Sequence, residues 1–219
     1  MRTPKTWLSA LVRTRTAKSA LLGFAAVGAA GAIALSPTAA NAAEPAPAAP
    51  PALGVAGYDG ALQPNGYYCG PAATRIALTA HGFAPSFDAI AGALGTTTSG
   101  TNSINDITRV LNNHVGARYH SVEVPAGKAS QAQTDQLVHD VVVAINQGDP
   151  VVANIAGTVT DTAGERHSYE GGHYLTVTGY SDQGRVVTIT DPADRVGSNE
   201  YQLPTDHLAN WTASRGYAA

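Results

Sequence analysis

A single cysteine, Cys69, stands among 219 residues, so no disulfide can form within the chain and stability has to come from packing. Charge is sparse too, at 13% Asp, Glu, Lys and Arg, and no cluster of Lys and Arg occurs beyond the first twenty residues. Phosphate backbones and anionic lipid surfaces are bound through clustered cations, so nucleic acid and such surfaces are excluded as partners. Long apolar runs are missing as well. The most apolar stretch, Ala20 to Leu35, is rich in Ala and Gly and falls short of the about 20 strongly apolar residues that a spanning helix needs. No internal repeat and no cofactor or metal motif is evident. His167, Glu170 and His173 lie close together, but their spacing matches no HExxH-type zinc site.

What stands at the start reads as an export signal. Arg2, Lys5, Arg13, Arg15 and Lys18 precede the apolar stretch, Ser36-Pro37 breaks it, and "ANA" at Ala40 to Ala42 offers small residues to a signal peptidase. Thr14 separates Arg13 from Arg15, so this is no twin-arginine signal. Residues 1–42 are therefore expected to be removed, giving a secreted protein without an integral membrane anchor. The Pro/Ala-rich stretch 43–54 reads as a linker, and 55–219 as one folded domain. With the five basic residues gone, eight Lys and Arg face sixteen Asp and Glu, a formal charge of −8.

Along that domain the hydrophobic period changes. Helical spacing marks the first half: a helix opening at Cys69-Gly70-Pro71 and ending near Gly82, then one capped by Ser86 and stopped by Gly95. A third is capped by Ser103 and runs to Gly116. A fourth runs from a Thr134 cap to Gly148, with Leu137, Val138, Val141, Val142 and Ile145 facing inward. β-Branched runs follow at 150–157, 173–181 and 185–192, with an earlier strand at 118–124 and a helical turn from Thr205 to Trp211. The polar, glycine-bearing stretch 157–172 reads as a mobile loop beside a cleft. Helices first and antiparallel strands afterwards make an α+β chain.

The chemistry gathers around "LQPNGYYCGPAATRIALTAHG", residues 62–82. A thiolate is stabilised where a helix begins, by unpaired N–H groups and the positive end of the dipole. Pro71 starts the helix without wasting a donor, and Gly70 leaves room for a substrate backbone. A thiol nucleophile needs a base and an orienting group. His173 opens one strand in "EGGHYLTVTGY", and Asp191 ends the next in "TITDPA". If Ser181 pairs with Arg185, Asp191 lies opposite Leu175 and His173 becomes its diagonal neighbour on one face, about 7–8 Å away. A register shifted by one separates them onto opposite faces, so the pairing demands a three-residue turn or a bulge. Gln63, six residues before Cys69, can supply an amide to an oxyanion beside the Cys69 N–H. Taken singly, each residue has a plainer role: a buried thiol, a strand histidine, a turn aspartate, a solvated glutamine. Tyr67 and Tyr68 either line a subsite or pack the start of the helix.

The ordered set "Q-x5-C-G-P-A-A", "G-G-H-Y-L-T-V-T-G-Y" and "T-D-P" resembles the C39-like family of cysteine peptidases, within the papain-like superfamily. The resemblance runs from about Gln63 to the C-terminus. It implies a papain-like fold in which an N-terminal helical half carrying the Cys69 helix packs on a C-terminal antiparallel sheet. It implies Cys69 as nucleophile, His173 as base and acid, Asp191 as orienter and Gln63 in the oxyanion hole. Tyr68 stands where the best-known members often carry an acidic residue, and this chain has no transporter segment, so their double-glycine specificity is not transferred. The expectation is a secreted thiol protease acting on a peptide or protein substrate, with no cofactor. A cell-wall peptide amidase or acyl transferase of the same fold is the alternative, as is a non-catalytic secreted binding protein.

Overall fold

The computed structural model describes residues 52–193 and 199–219. The signal segment and most of the linker lie outside the described residues. Seven strands form one sheet in which every pairing is antiparallel: β1 (Leu53–Gly54), β2 (Ser121–Val122), β3 (Val151–Thr160), β4 (Arg166–Ser181), β5 (Val186–Thr190), β6 (Glu200–Pro204) and β7 (Gly216–Ala218). Their order is β2-β7-β3-β4-β5-β6, with β1 paired to β4. The tail of the linker is thus part of the sheet. Among the described residues five α-helices pack on it: α1 (Cys69–Ala80), α2 (Phe87–Leu94), α3 (Ile104–Val115), α4 (Gln131–Asn146) and α5 (Thr205–Trp211).

Because side chains alternate across a strand, β3 and β4 serve two cores at once. Val151, Ala153, Ile155, Leu175 and Val177 pack with Leu137, Val141 and Ile145 of α4 and Leu208 and Trp211 of α5. Val152 and Tyr174 pack instead with Ala73 and Ala77 of α1, Leu94 of α2, and Ile107, Val110 and Leu111 of α3. The expected α+β chain of helices on a C-terminal antiparallel sheet is present, with helices on both faces. No described helix is long and apolar enough to cross a membrane.

Several local expectations agree with the structure. Ser86 accepts a hydrogen bond from the Ala89 N–H, and Gly95 ends α2 in the left-handed conformation. Ser103 caps α3 as expected. Others need correction. α4 starts at Gln131, not after Thr134, because Ser130 and Gln133 form a reciprocal capping box that outcompetes the later threonine. Its buried face takes Asp140 and Ala144, while Val138 and Val142 stay partly exposed. Asp140 is compatible with burial because the hydroxyl of Tyr217 and the amide of Gln136 donate to it. The strand expected over 118–124 shrinks to Ser121–Val122, since the Arg118 side chain is drawn into a pair with Asp149.

The largest correction concerns residues 157–172. These are not a loop: β3 and β4 continue through them as a hairpin, with Thr158 opposite Ser168 and Thr160 opposite Arg166. Polar composition concealed the strands. Thr158 and Ser168 hydrogen-bond across the ladder, and His167 is buried against Asp161, so polar groups do the work usually left to apolar pairs.

Candidate active site

Cys69 is the first residue of α1, and Tyr68 ahead of it offers no side-chain cap. The Gly70 and Tyr174 N–H groups lie against the sulfur and favour its charged form. Gly70 has a different task from the one expected of it. A Cβ there would lie 2.2 Å from Thr101 Oγ1, so its missing side chain admits Thr101 of the same chain and lets α1 sit down on the segment before α3.

His173 reaches the thiol from β4. Its Nε2 lies 2.7 Å from Asp191 Oδ1, and the ring also hydrogen-bonds to Cys69, which leaves Nδ1 for the sulfur. His173 and Asp191 are 4% and 0% exposed, which removes bulk water from their hydrogen bond. Asp191 is saturated: the Ala193 N–H donates to Oδ1 at 2.9 Å, and the hydroxyls of Tyr169 and Tyr201 donate to Oδ2 at 2.9 and 3.1 Å. Tyr169 also stacks on the His173 ring at 4.0 Å, covering one of its faces. Neither tyrosine was singled out from the sequence. Tyr169 carried a signal nonetheless, four residues before His173 and so on the same side of the strand.

A register device brings His173 and Asp191 together. Ser181 pairs with Val186, so the turn spans four residues and the register near the turn is one off the required value. A bulge between Val177 and Gly179 absorbs that residue. Beyond it Thr176 pairs with Thr190, which sets Asp191 across from Leu175 and diagonal to His173. Of the two solutions the sequence permitted, the chain uses the bulge.

Charge follows geometry. Burial pushes the Cys69 thiol up, but the hydrogen bond and charge of His173, with the two backbone N–H groups, bring it below its ordinary value. Burial disfavours a charged His173, yet Asp191 and Cys69 hold it protonated up to about 9. Burial likewise opposes the Asp191 charge, and His173 together with the Ala193 N–H and the Tyr169 hydroxyl wins, leaving the carboxyl below its usual range. The arrangement favours a thiolate beside an imidazolium.

Gln63 is near this machinery without touching the sulfur through any described contact. Its N–H donates to the Pro192 carbonyl at 2.8 Å, which ties it to the residue after Asp191. Its Nε2 donates to Asn65 O at 2.7 Å. Tyr67 is exposed and meets Tyr68 edge-to-face, while Tyr68 donates to Asp88. Among the described residues no group of three His, Cys, Asp or Glu could hold a metal.

Comparison with known proteins identifies the family. The family model described as "Peptidase_C39 like family" matches residues 55–219. No curated protein matches the chain by sequence. Among solved structures, a Bacillus anthracis protein described as a C39-like peptidase superposes with a TM-score of 0.52 at 13% identity, covering 77% of this chain and 97% of its own. The peptidase domain of Streptococcus ComA, a bifunctional ABC transporter, gives 0.49 at 17% identity over 72% and 93%. A double-glycine-motif protease from an AMS/PCAT transporter, solved with its leader peptide, gives 0.44 at 13% over 75% and 91%.

Proposed function

From the premise that this chain belongs to the Peptidase_C39 like family and is a cysteine peptidase, we propose that it is secreted and cleaves peptide bonds with Cys69, His173 and Asp191. One observation carries the assignment of roles: a buried hydrogen bond joins Asp191 to Nε2 of His173, and the same imidazole acts on a thiol at a helix start. In the proposed reaction the Cys69 thiolate attacks the carbonyl carbon, and the carbonyl electrons move onto oxygen. The Cys69 N–H and the Gln63 amide face that oxygen; an amide nitrogen carries two hydrogens, and the Asn65 contact uses one. The C–N bond breaks as His173 Nδ1 hands its proton to the departing amine. Water then attacks the thioester, gives a proton to His173 and expels the Cys69 thiolate, which restores the starting pair. Asp191 keeps the imidazole in place throughout and remains ionised.

The test is the rate of Cys69 alkylation by iodoacetamide against pH, in the protein and in His173→Ala. The rate should titrate below the about 8.5 of an ordinary thiol and move upward in the variant. A rate that titrates at or above that value in both proteins rejects the pair. For peptide cleavage the sign on the alkaline side is fixed by His173: protonation is needed to release the amine, so kcat/KM should fall as pH rises through about 9. Export has its own check. The protein recovered outside the cells should begin at Ala43, and recovery only of cell-bound chains retaining residues 1–42 rejects secretion.

A further inference from the structure

A cavity of about 290 Å³ opens between the start of α3, β3 and the turn before β7. Three parts of its wall connect to the thiol and its base through intervening neighbours. Asn102 and Ser103 follow Thr101, which packs on Gly70 next to Cys69. Asn154 of β3 donates to the hydroxyl of Tyr174, whose N–H contacts the sulfur. Arg215, just before β7, lays its guanidinium against Gly172, the residue before His173, where a Cβ would come within 3.2 Å of an Arg215 nitrogen. Gly172 has φ +97, so the backbone conformation and this close approach both call for glycine there.

Arg215 is exposed and forms no ion pair or side-chain hydrogen bond among the described residues. Four of the other described arginines, Arg75, Arg109, Arg118 and Arg185, each pair with an aspartate, and Arg166 borders no such cavity. A guanidinium left to face a polar cavity, in a domain whose formal charge is strongly negative, is a receptor for an anion. Glu123 also borders the cavity, but its carboxylate takes a hydrogen bond from Asn105 and makes no ion pair with Arg215.

The side of the scissile bond follows from the direction of His173. The leaving amine must lie over the imidazole, which extends toward Asp191 beyond the end of β5. The cavity lies the other way, toward β3 and β7, and so takes the acyl portion of the substrate. That portion runs back to the peptide's N-terminus and has no free α-carboxylate. We propose that Arg215, with Asn154 and Ser103, forms a specificity subsite for an Asp or Glu side chain on the N-terminal side of the cleaved bond. This rests on the assignment of Cys69 as nucleophile.

The test uses internally quenched peptides in which Glu, Gln or Lys is moved through the three positions before the cleaved bond. The protein should prefer Glu to Lys by about tenfold or more in kcat/KM at one position. Arg215→Gln should flatten the preference, Arg215→Glu should reverse it, and Glu123→Gln should sharpen it. A Glu/Lys ratio near one in the unaltered protein, or a preference that survives Arg215→Glu, overturns the subsite. Calorimetric binding of the same Glu and Lys peptides to Cys69→Ala decides the matter without turnover: tighter binding of the Glu peptide, lost in Cys69→Ala/Arg215→Glu, supports the subsite, and equal binding overturns it. The Cys69 alkylation profile of the unaltered protein separates the two levels. If that profile is ordinary in the unaltered protein, the assignment of Cys69 has failed; if it is activated while no acidic preference exists, only the subsite has.

Discussion

Two histidines on β4, six residues apart, have nearly the same surroundings. His167 is buried, lies 3.2 Å from Asp161 through Nε2, and stacks on Tyr201 at 3.8 Å. His173 is buried, lies 2.7 Å from Asp191 through Nε2, and stacks on Tyr169 at 4.0 Å. The tyrosines interlock the two, because both donate their hydroxyls to Asp191. What differs is the far side of each ring and the job of each carboxylate. Asp161 accepts from the Ala163 and Glu165 N–H groups and so shapes the turn at the tip of the β3–β4 hairpin. Asp191 serves an imidazole whose other nitrogen meets a thiol. A histidine–aspartate pair alone is therefore no sign of catalysis; the third partner makes it one.

This comparison can be broken most severely at the third partner and its base. Cys69→Ala and His173→Ala should each lower peptide turnover on the order of 10⁴-fold or more, with folding retained by circular dichroism. Turnover within tenfold of the unaltered protein in either variant would remove the distinction between the two histidines. Asp191→Asn should act next, lowering kcat by roughly 10²–10⁴-fold while KM changes little, since the loss falls on imidazole orientation and charge. A variant that only raises KM would make Asp191 a wall of the site and nothing more. The smallest effect belongs to the other pair. Asp161→Asn should cost about 1–3 kcal/mol in urea unfolding, through backbone donors and a histidine that lose a charged acceptor, and leave kcat within about twofold. A deep loss of turnover there would show that the two pairs act as one network.

How far the sequence could be read follows the same division. Helices α2 and α3 were legible at their caps because Ser86, Ser103 and Gly95 act locally, through hydrogen bonds spanning two or three residues or a backbone preference. His173 and Asp191 could be connected because strand pairing is arithmetic: a fixed period of two converts a hairpin into a list of neighbours. The extension of that hairpin through 157–172 was hidden, since its strands alternate among Thr, Ser, His and Tyr, and the burial of His167 depends on Asp161 and Tyr201 arriving from elsewhere. Gly70 misled for a related reason. A missing side chain announces a close neighbour without saying whether that neighbour is a substrate or, as here, Thr101. Arg215 was invisible as a site residue because its neighbours in space lie far away in sequence.

The bulge at Thr178 has a meaning for anyone who would graft this hairpin or shorten it. It acts as a parity bit. With Thr178 drawn into the ladder instead of bulging from it, Thr190 would pair with Val177 and Asp191 would stand across from Thr176, on the α1 side of the sheet and away from His173. Deleting Thr178 removes only the unpaired residue, so Gly179 stays with Thr188 and Val177 with Ile189, and Asp191 keeps its place across from Leu175. The hairpin can therefore lose its bulge by losing a residue but not by straightening it, although no residue of the turn itself touches the site.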